Sequence, residues 1–323
     1  MWKKFFMIVL VIALGVSLIG CADEVSDTAE ETAEATEEVI ESEESEVEEN
    51  EPYLVFTDGM DREIVLAEEP LRVVSVAPSI TETIFAIGAG DRLIGRTDYC
   101  NYPDASQNVE SIGSLQEVNI EKISELEPDI VLASTHFKEE TLNKIESLGI
   151  PVAMIISQES FDGVYKNIED IATILNKKDK ANIIINDMKA SVEYVKSNVE
   201  GIEKKSVYYV IGYGEYGDFT ATGDTFIHQM LEIAGGENVA KDATGWKFSL
   251  EKLVESDPEV IIAEDNPSII AGIKEANGYK DLSAIKNGNL YGINKGKIEL
   301  MGPRLADGLE ELAKILHPEV FEK

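Results

Sequence analysis

The chain has 323 residues, a formal net charge of −34 and an isoelectric point near 4.3. This charge excludes nucleic acid as a partner, because phosphate binding requires clustered lysine and arginine. Two cysteines exclude a disulfide scaffold, and three scattered histidines argue against a His-rich metal site. The length allows one large or two ordinary domains, and hydrophobic residues make up 44% of the chain, enough for a sizeable core.

The N-terminal residues predict an export signal followed by a tether. Lys3 and Lys4 precede an apolar run at 5–19, which is shorter than the roughly 20 residues of a membrane-spanning helix but suits a signal peptide. Residues 22–51 then hold fifteen acidic side chains and no lysine or arginine. This composition favours an extended, self-repelling segment, with a charged helix as the alternative.

From residue 52 onward, short strand patterns alternate with helical patterns. An entry hairpin is predicted at 53–66, with Asp58-Gly59 at a tight turn. The other predicted strands are 73–76, 93–95, 130–133, 152–156, 207–211 and 260–263, and the predicted helices are 81–87, 120–126, 139–148, 225–233, 250–255 and 305–316. Between 161 and 199 only helical spacing occurs, and 179–199 suits one helix of about 30 Å. This alternation predicts an α/β fold with mostly parallel sheets.

Residues 119–133 and 249–263 form an internal repeat at a constant offset of 130. Both copies begin with a plausible helix N-cap, Asn119 and Ser249. The repeat predicts two Rossmann-like lobes with central β-sheets, bridged by one long α-helix, although cap–helix–proline–strand units also occur generally in α/β proteins. The predicted organisation is a signal peptide at 1–20, an acidic disordered tether at 21–51, an N-terminal α/β lobe at 52–157, a helical linker at 158–200 and a C-terminal α/β lobe at 201–323.

Several motifs carry a resemblance to a known family. They are Leu18-Ile19-Gly20-Cys21, RVVSVAPSITETIFAIGAGDRLIGRTDYCNYP at 72–103, the two repeat units and GPRLADGLEELAKILHPE at 302–319. Together they resemble the helical-backbone (class III) substrate-binding lipoproteins of ABC importers, which carry cobalamin, ferric siderophores or haem. The resemblance implies a lipid on Cys21 that anchors the protein to the outer face of the cell membrane. It also implies a ligand cleft between the lobes and delivery to a permease with a cytoplasmic ATPase.

The resemblance also assigns individual residues. Tyr99 and Trp246 match cleft aromatics of the cobalamin-binding members, and Glu121 and Glu251 match carboxylates that dock on permease arginines. One position departs from the pattern: Leu115 stands where cobalamin binders carry Trp and haem binders often carry a ligating Tyr. The departure weakens both ligand assignments without excluding cobalamin.

Further cleft candidates follow from topology, because ligands of such proteins lie beyond the carboxyl ends of the strands. The residues predicted in these loops or at the start of the last helix are Ser79, Phe137, Tyr213, Tyr216, Phe219 and Arg304. Alternatives remain for some of them. Ser79 suits a capping box with Glu82, Arg304 suits either a ligand anion or a brace between the lobes, and Trp246 suits either ligand contact or packing.

These observations predict an extracytoplasmic receptor that captures cobalamin or a related corrinoid and catalyses no reaction. A ferric siderophore is the alternative cargo, and haem binding or a chelatase-like enzyme is less favoured. No catalytic residue, resident metal or cofactor is predicted. If a corrinoid binds, Trp246→Ala should weaken binding by about 2 kcal/mol.

Overall fold

The computed structural model describes residues 51–215 and 217–321. The predicted signal peptide, the lipidation site Cys21, all but the last residue of the tether, and Tyr216 lie outside the described residues. Within the described part of the chain, no helix is both long and apolar enough to cross a membrane.

The N-terminal lobe is built on a five-stranded parallel sheet. An antiparallel hairpin, β1 (Leu54–Thr57) and β2 (Glu63–Leu66), precedes it. The sheet has the order β5-β4-β3-β6-β7 and consists of β3 (Val73–Ser75), β4 (Leu93–Arg96), β5 (Glu110–Ser111), β6 (Ile130–Ala133) and β7 (Val152–Met154). Its helices are α1 (Pro78–Ala86), α2 (Ile120–Glu125) and α3 (Glu139–Glu146). Strands β3, β6 and β7 are buried at every residue, as expected for parallel strands with both faces covered.

Two helices, α4 (Phe161–Ile174) and α5 (Lys178–Val199), connect this lobe to the next. The C-terminal sheet has the parallel order β10-β8-β11-β12, with β9 antiparallel to β8. Its strands are β8 (Lys205–Gly212), β9 (Phe219–Thr220), β10 (Gly236–Asn238), β11 (Val260–Glu264) and β12 (Leu290–Ile293). Its helices are α6 (Phe226–Ile233), α7 (Leu250–Ser256), α8 (Pro267–Glu275), α9 (Ser283–Asn287), α10 (Leu305–Leu316) and α11 (Pro318–Phe321).

The predicted long helix is present as α5. Its 22 residues extend about 33 Å and pack against α4 and α10. One apolar core runs from Leu132 in the first sheet through Ile168, Met188 and Leu309 of these helices to Ile262 in the second sheet. Because this core is continuous, a large hinge motion would have to break close-packed contacts. The predicted α/β fold class with two lobes is confirmed.

The internal repeat is also structural. The side chains of Asn119 and Ser249 accept hydrogen bonds from the backbone N–H three residues on, at 3.0 and 3.3 Å. Both helices are followed by a non-glycine residue with positive φ, Glu127 at 45° and Asp257 at 37°. The strands that follow, β6 and β11, each pair with the first strand of their own sheet. Equivalent sequence therefore forms equivalent structure in the two lobes.

Two local predictions are wrong. Helix α1 begins at Pro78 with Ala77 as its N-cap, so Ser79 lies inside the first turn and forms no capping box with Glu82. Proline at the first helical position needs no N–H partner, which explains the early start. The hairpin turn is a five-residue loop at 58–62 rather than a tight Asp-Gly turn, because the buried Asp58 carboxylate accepts hydrogen bonds from backbone N–H groups of that loop.

Candidate functional site

A cavity of about 900 Å³ lies between the two lobes. The loops after β3, β4, β6 and β7 line one side, and the loops after β11 and β12 line the other. The carboxyl ends of both sheets therefore face the same space, which is where ligands of open parallel sheets bind. The lining side chains that concern its chemistry are Ser79, Tyr99, Tyr102, Leu115, His136, Glu159, Asn167, Glu264, Asp265, Lys295, Glu299 and Arg304.

Two tyrosines on the loop after β4 give the cavity an aromatic side. Tyr99 is 62% exposed and Tyr102 is 44% exposed, although both carry large apolar rings. The guanidinium carbon of Arg304 lies 3.7 Å from the centre of the Tyr102 ring, a cation–π contact that orients this ring. The exposure of Tyr99 leaves its aromatic ring accessible to a ligand in the cavity.

A buried ion pair joins the lobes beside the cavity. Arg304 donates from Nε and Nη2 to the Glu82 carboxylate at 2.8 and 2.6 Å, and the Glu82 side chain is only 3% exposed. Burial raises the pKa of Glu82, and the hydrogen bonds from Arg304 oppose that rise. A Cβ at Gly296 would lie 2.8 Å from Arg304 Nη2, so glycine there leaves room for the guanidinium. Arg304 therefore braces the contact between the lobes, which is one of the two roles that its sequence position suggested.

The C-terminal side of the cavity is acidic. Lys295 Nζ lies 3.0 Å from Glu264 Oε2, while Asp265 beside it forms no ion pair among the described residues. Glu299 keeps surface toward the cavity and accepts a hydrogen bond of 3.3 Å from the Tyr209 hydroxyl. The protein around Glu299 still raises the pKa of its carboxyl by desolvation, and the neighbouring Glu264 raises it further.

The predicted cleft residues fall into separate groups. Ser79, Tyr99 and Arg304 line the cavity. Tyr213 lines an adjoining cavity of about 300 Å³, which shares Glu264, Lys295 and Glu299 with the first. Phe137 is 8% exposed and packs in the N-terminal core.

Phe219 and Trp246 are not among the residues that line either cavity. Phe219 begins the edge strand β9 rather than lying in a loop. Trp246 has φ of 69° and a side chain that is 42% exposed, and its backbone N–H donates to Thr222 Oγ1. The ligand-binding role of Trp246 stays a prediction, and the geometry supports Tyr99 more directly.

Several lining residues were missed by sequence analysis. Asp265 follows β11, a strand that was predicted, so the strand-end rule could have found it, whereas Asn294 follows β12, which was not predicted. Tyr102 lies within the family-like segment but carries no signal of its own. Asn167 lies on α4, far from any strand end, and only tertiary packing brings it to the cavity wall.

The described part of the cavity holds no cluster of metal ligands and no thiol. Within 51–215 and 217–321, no group of three His, Cys, Asp or Glu side chains has the geometry of a metal site. Cys100 is 1% exposed and contacts Thr97 Oγ1, so its thiol does not face the cavity. The wall combines aromatic, amide and carboxylate groups, a mixture common in sites that bind large ligands.

Comparison with known proteins agrees with this geometry. Residues 73–295 match the family model described as periplasmic binding protein. An uncharacterized ABC transporter substrate-binding lipoprotein of Bacillus subtilis is 31% identical over 82% of this chain and 86% of its own length. A cobalamin-binding protein of Halobacterium salinarum is 29% identical over 80% of this chain and 73% of its own length.

The same fold occurs in a solved structure, the periplasmic vitamin B12-binding protein of Vibrio cholerae. It superposes with a TM-score of 0.66 and 22% identity, covering 79% of this chain and 99% of the other. The chain belongs to the periplasmic binding protein family and is an ABC-transporter substrate-binding protein of the cobalamin, siderophore and haem group. Its relatives are solute-binding proteins rather than enzymes, and family membership makes it extracytoplasmic.

Proposed function

We propose that this protein captures cobalamin or a related corrinoid outside the cytoplasm and delivers it to the permease of an ABC importer. The observation that carries this proposal is the 900 Å³ cavity between the lobes, with the exposed Tyr99 ring on one side and polar side chains around it. A corrinoid is a large flat chelate with amide groups at its edge, so it requires an aromatic face and hydrogen-bonding groups together. The cobalamin-binding relatives support the same cargo.

Calorimetric titration of the purified protein tests the cargo. We expect saturable binding of cyanocobalamin with a dissociation constant of about 1 μM or tighter, and no comparable binding of haemin or of a panel of ferric siderophores. Tyr99→Ala should weaken cyanocobalamin binding by about 2 kcal/mol, because it removes an aromatic contact at the cavity wall. Trp246→Ala serves as the comparison. A similar loss of binding free energy would show that Trp246 contacts the ligand, and a loss below about 0.5 kcal/mol would show that it does not. Haemin or siderophore binding without cyanocobalamin binding would overturn the corrinoid proposal.

Membrane attachment through a lipid on Cys21 is the second part of the proposal. The segment Leu18-Ile19-Gly20-Cys21 and the lipoprotein relative from Bacillus subtilis support it. Cys21→Ser should release the protein from the membrane fraction and remove the mass of the acyl groups. A Cys21→Ser variant that stays in the membrane fraction and keeps the mass of the acyl groups would contradict lipidation at this position.

Delivery to the permease is proposed to use Glu121 and Glu251. Both are exposed in the first turn of α2 and α7, at equivalent points of the two lobes. Two separated carboxylates would offer permease arginines a two-point contact that sets orientation and association rate. The first-turn position also favours glutamate through the helix dipole, and this stabilising role is compatible with docking.

The double variant Glu121→Arg, Glu251→Arg should retain ligand affinity and abolish uptake by cells that depend on this protein. Glu193→Arg with Glu275→Arg is the matched control, because it makes the same charge change on exposed sites of α5 and α8. The control should support normal uptake. Normal uptake by the Glu121, Glu251 variant would refute the two-point contact.

A further inference from the structure

The cavity wall carries more negatively charged side chains than positively charged ones. Its wall holds four carboxylates, Glu159, Glu264, Asp265 and Glu299, but only two cations, Lys295 and Arg304. Glu264, Asp265 and Glu299 accompany β11 and β12, whereas Glu159 lies between β7 and α4. The C-terminal side of the cavity therefore carries most of the negative charge, and Glu159 adds to it from the other side.

Both cations are already paired with carboxylates of the protein. Arg304 is held by the buried Glu82 in a two-bond contact, and Lys295 Nζ lies 3.0 Å from Glu264 Oε2. An anionic ligand would have to replace one of these carboxylates to gain a cation. Replacing Glu82 would leave it unpaired at 3% exposure, which is strongly unfavourable. Glu159, Asp265 and Glu299 form no ion pair among the described residues.

One neutral side chain adds a hydrogen-bond acceptor to this negative field. Asn167 lines the cavity, and its side-chain oxygen is buried without a hydrogen-bond partner in the described structure. A buried unsatisfied oxygen gains most from a ligand that donates a hydrogen bond. An ionised carboxylate likewise acts only as a hydrogen-bond acceptor. The carboxylates and the Asn167 oxygen therefore favour a ligand with N–H donors at its edge and no negative charge.

We infer that the cavity selects its cargo by charge, admitting neutral or cationic, amide-edged corrinoids and rejecting anionic chelates, with Glu159, Asp265 and Glu299 as the specificity-determining residues. This inference rests on the proposed function, because it takes the cavity as the corrinoid site. The primary amides of a corrinoid edge donate to carboxylates and to the Asn167 oxygen. Haem propionates and carboxylate or catecholate siderophores bring negative charge against three unpaired carboxylates, which repel it at short range.

Three cobalamins provide a matched test. Those with water, cyanide or sulfite as the upper cobalt ligand share one frame and carry net charges of plus one, zero and minus one. Near neutral pH and at low salt, we expect the purified protein to bind the sulfite form about tenfold or more weakly than the aquo form, with the cyanide form between them. Added salt should reduce this difference, because it screens charges that remain in contact with solvent.

Variants show which residues cause the dependence of affinity on ligand charge. Glu159→Gln, Asp265→Asn and Glu299→Gln combined should bring the aquo-to-sulfite affinity ratio to within about threefold of unity. Glu255→Gln is the control, since it removes an acidic charge from an exposed site on α7 outside the cavity and should leave the ratio unchanged. His136 also lines the cavity and can replace an exchangeable upper water, so the series is repeated in His136→Ala, where the ratio should persist.

The outcomes separate the two proposals. If cyanocobalamin fails to bind the folded protein, the proposed function fails. If cyanocobalamin binds but the three charge forms bind equally, or the triple variant keeps the wild-type ratio, the charge inference fails and the function stands. If the ratio disappears in His136→Ala alone, coordination of cobalt rather than charge accounts for it, and the inference is overturned.

Discussion

Replacing Arg304 with alanine is expected to lower the free energy of unfolding by about 3 kcal/mol at neutral pH. The change leaves the Glu82 carboxylate without its partner at a side-chain exposure of only 3%. It also removes the cation that stacks on Tyr102, so the aromatic side of the cavity loses an orienting contact. Urea denaturation at equilibrium measures the loss.

The pH dependence of the stability of Arg304→Ala should show whether the unpaired Glu82 carboxylate causes the loss of stability. Burial already raises the pKa of Glu82 above its ordinary value of 4.5, and loss of Arg304 removes the interaction that opposes this rise. The folded variant then binds more protons than the unfolded chain at pH values above 4.5. Its stability should therefore fall as pH rises through this window, and the deficit relative to the wild type should shrink on acidification.

Two further variants complete the test. Glu82→Gln combined with Arg304→Ala should recover part of the loss, because no charge then remains buried. Lys144→Ala breaks an exposed ion pair with Glu140, whose side chain is 78% exposed, and should cost at most about 1 kcal/mol. An Arg304→Ala deficit no larger than the Lys144→Ala deficit would show that the pair does not stabilise the contact between lobes.

Replacing Asp58 with asparagine is expected to destabilise the protein by about 2–3 kcal/mol at neutral pH. The Asp58 side chain is fully buried and accepts hydrogen bonds from the backbone N–H groups of Met60, Arg62 and Met154. It also binds the Arg62 guanidinium, with Nη2 at 2.6 Å. These contacts attach the entry hairpin to β7. Asparagine keeps the shape but replaces one acceptor oxygen with a donor and removes the charge.

The effect of Asp58 on stability should depend on pH in the opposite sense to that of Glu82. Burial alone would raise the pKa of Asp58, but the hydrogen bonds from Arg62 and the backbone outweigh it and hold the pKa below 3.8. Its contribution is therefore present above pH 3.8 and is lost as the pH falls through the lower folded value. The wild type and Asp58→Asn should thus converge in stability in strong acid.

Asp61→Asn provides a control within the same loop. Asp61 is exposed and has φ of 58°, a conformation that asparagine adopts readily. Denaturation across the acid range should show little change in this variant. A deficit in Asp58→Asn that stays constant down to the lowest pH would mean that the charge of Asp58 does not contribute.

Much of the fold could be predicted because its information is local. Buried strands such as β6 and β11 appear as short apolar runs, and the caps Asn119 and Ser249 mark the helices before them. Prediction failed where a segment is short or its conformation is set by distant contacts. Strand β9 has two residues and forms only by pairing with β8, and the Asp58 loop follows hydrogen bonds to β7 rather than turn preference.

The residues of the candidate site show the same difference between what local sequence predicts and what packing determines. Tyr99, Ser79 and Arg304 were predicted as cleft residues because each lies at a strand end or in a family-like segment, and the structure places all three at the cavity. Trp246 carries the same kind of sequence signal, but its side chain does not line either cavity. A residue pattern predicts that a loop lies near a site, whereas the direction of a side chain depends on packing.

The alternating strands and helices, the repeat and the family are encoded by neighbouring residues, so the sequence alone is enough to recognise them. The charge of the cavity depends instead on contacts between distant parts of the chain. Glu82 and Arg304 are 222 residues apart in the chain, and their contact cancels the cation that sequence analysis offered to an anionic ligand. Because electrostatic interactions depend on distance in space and on burial, the partner of each charged group, and with it the chemistry of the site, emerges only when the two lobes pack together.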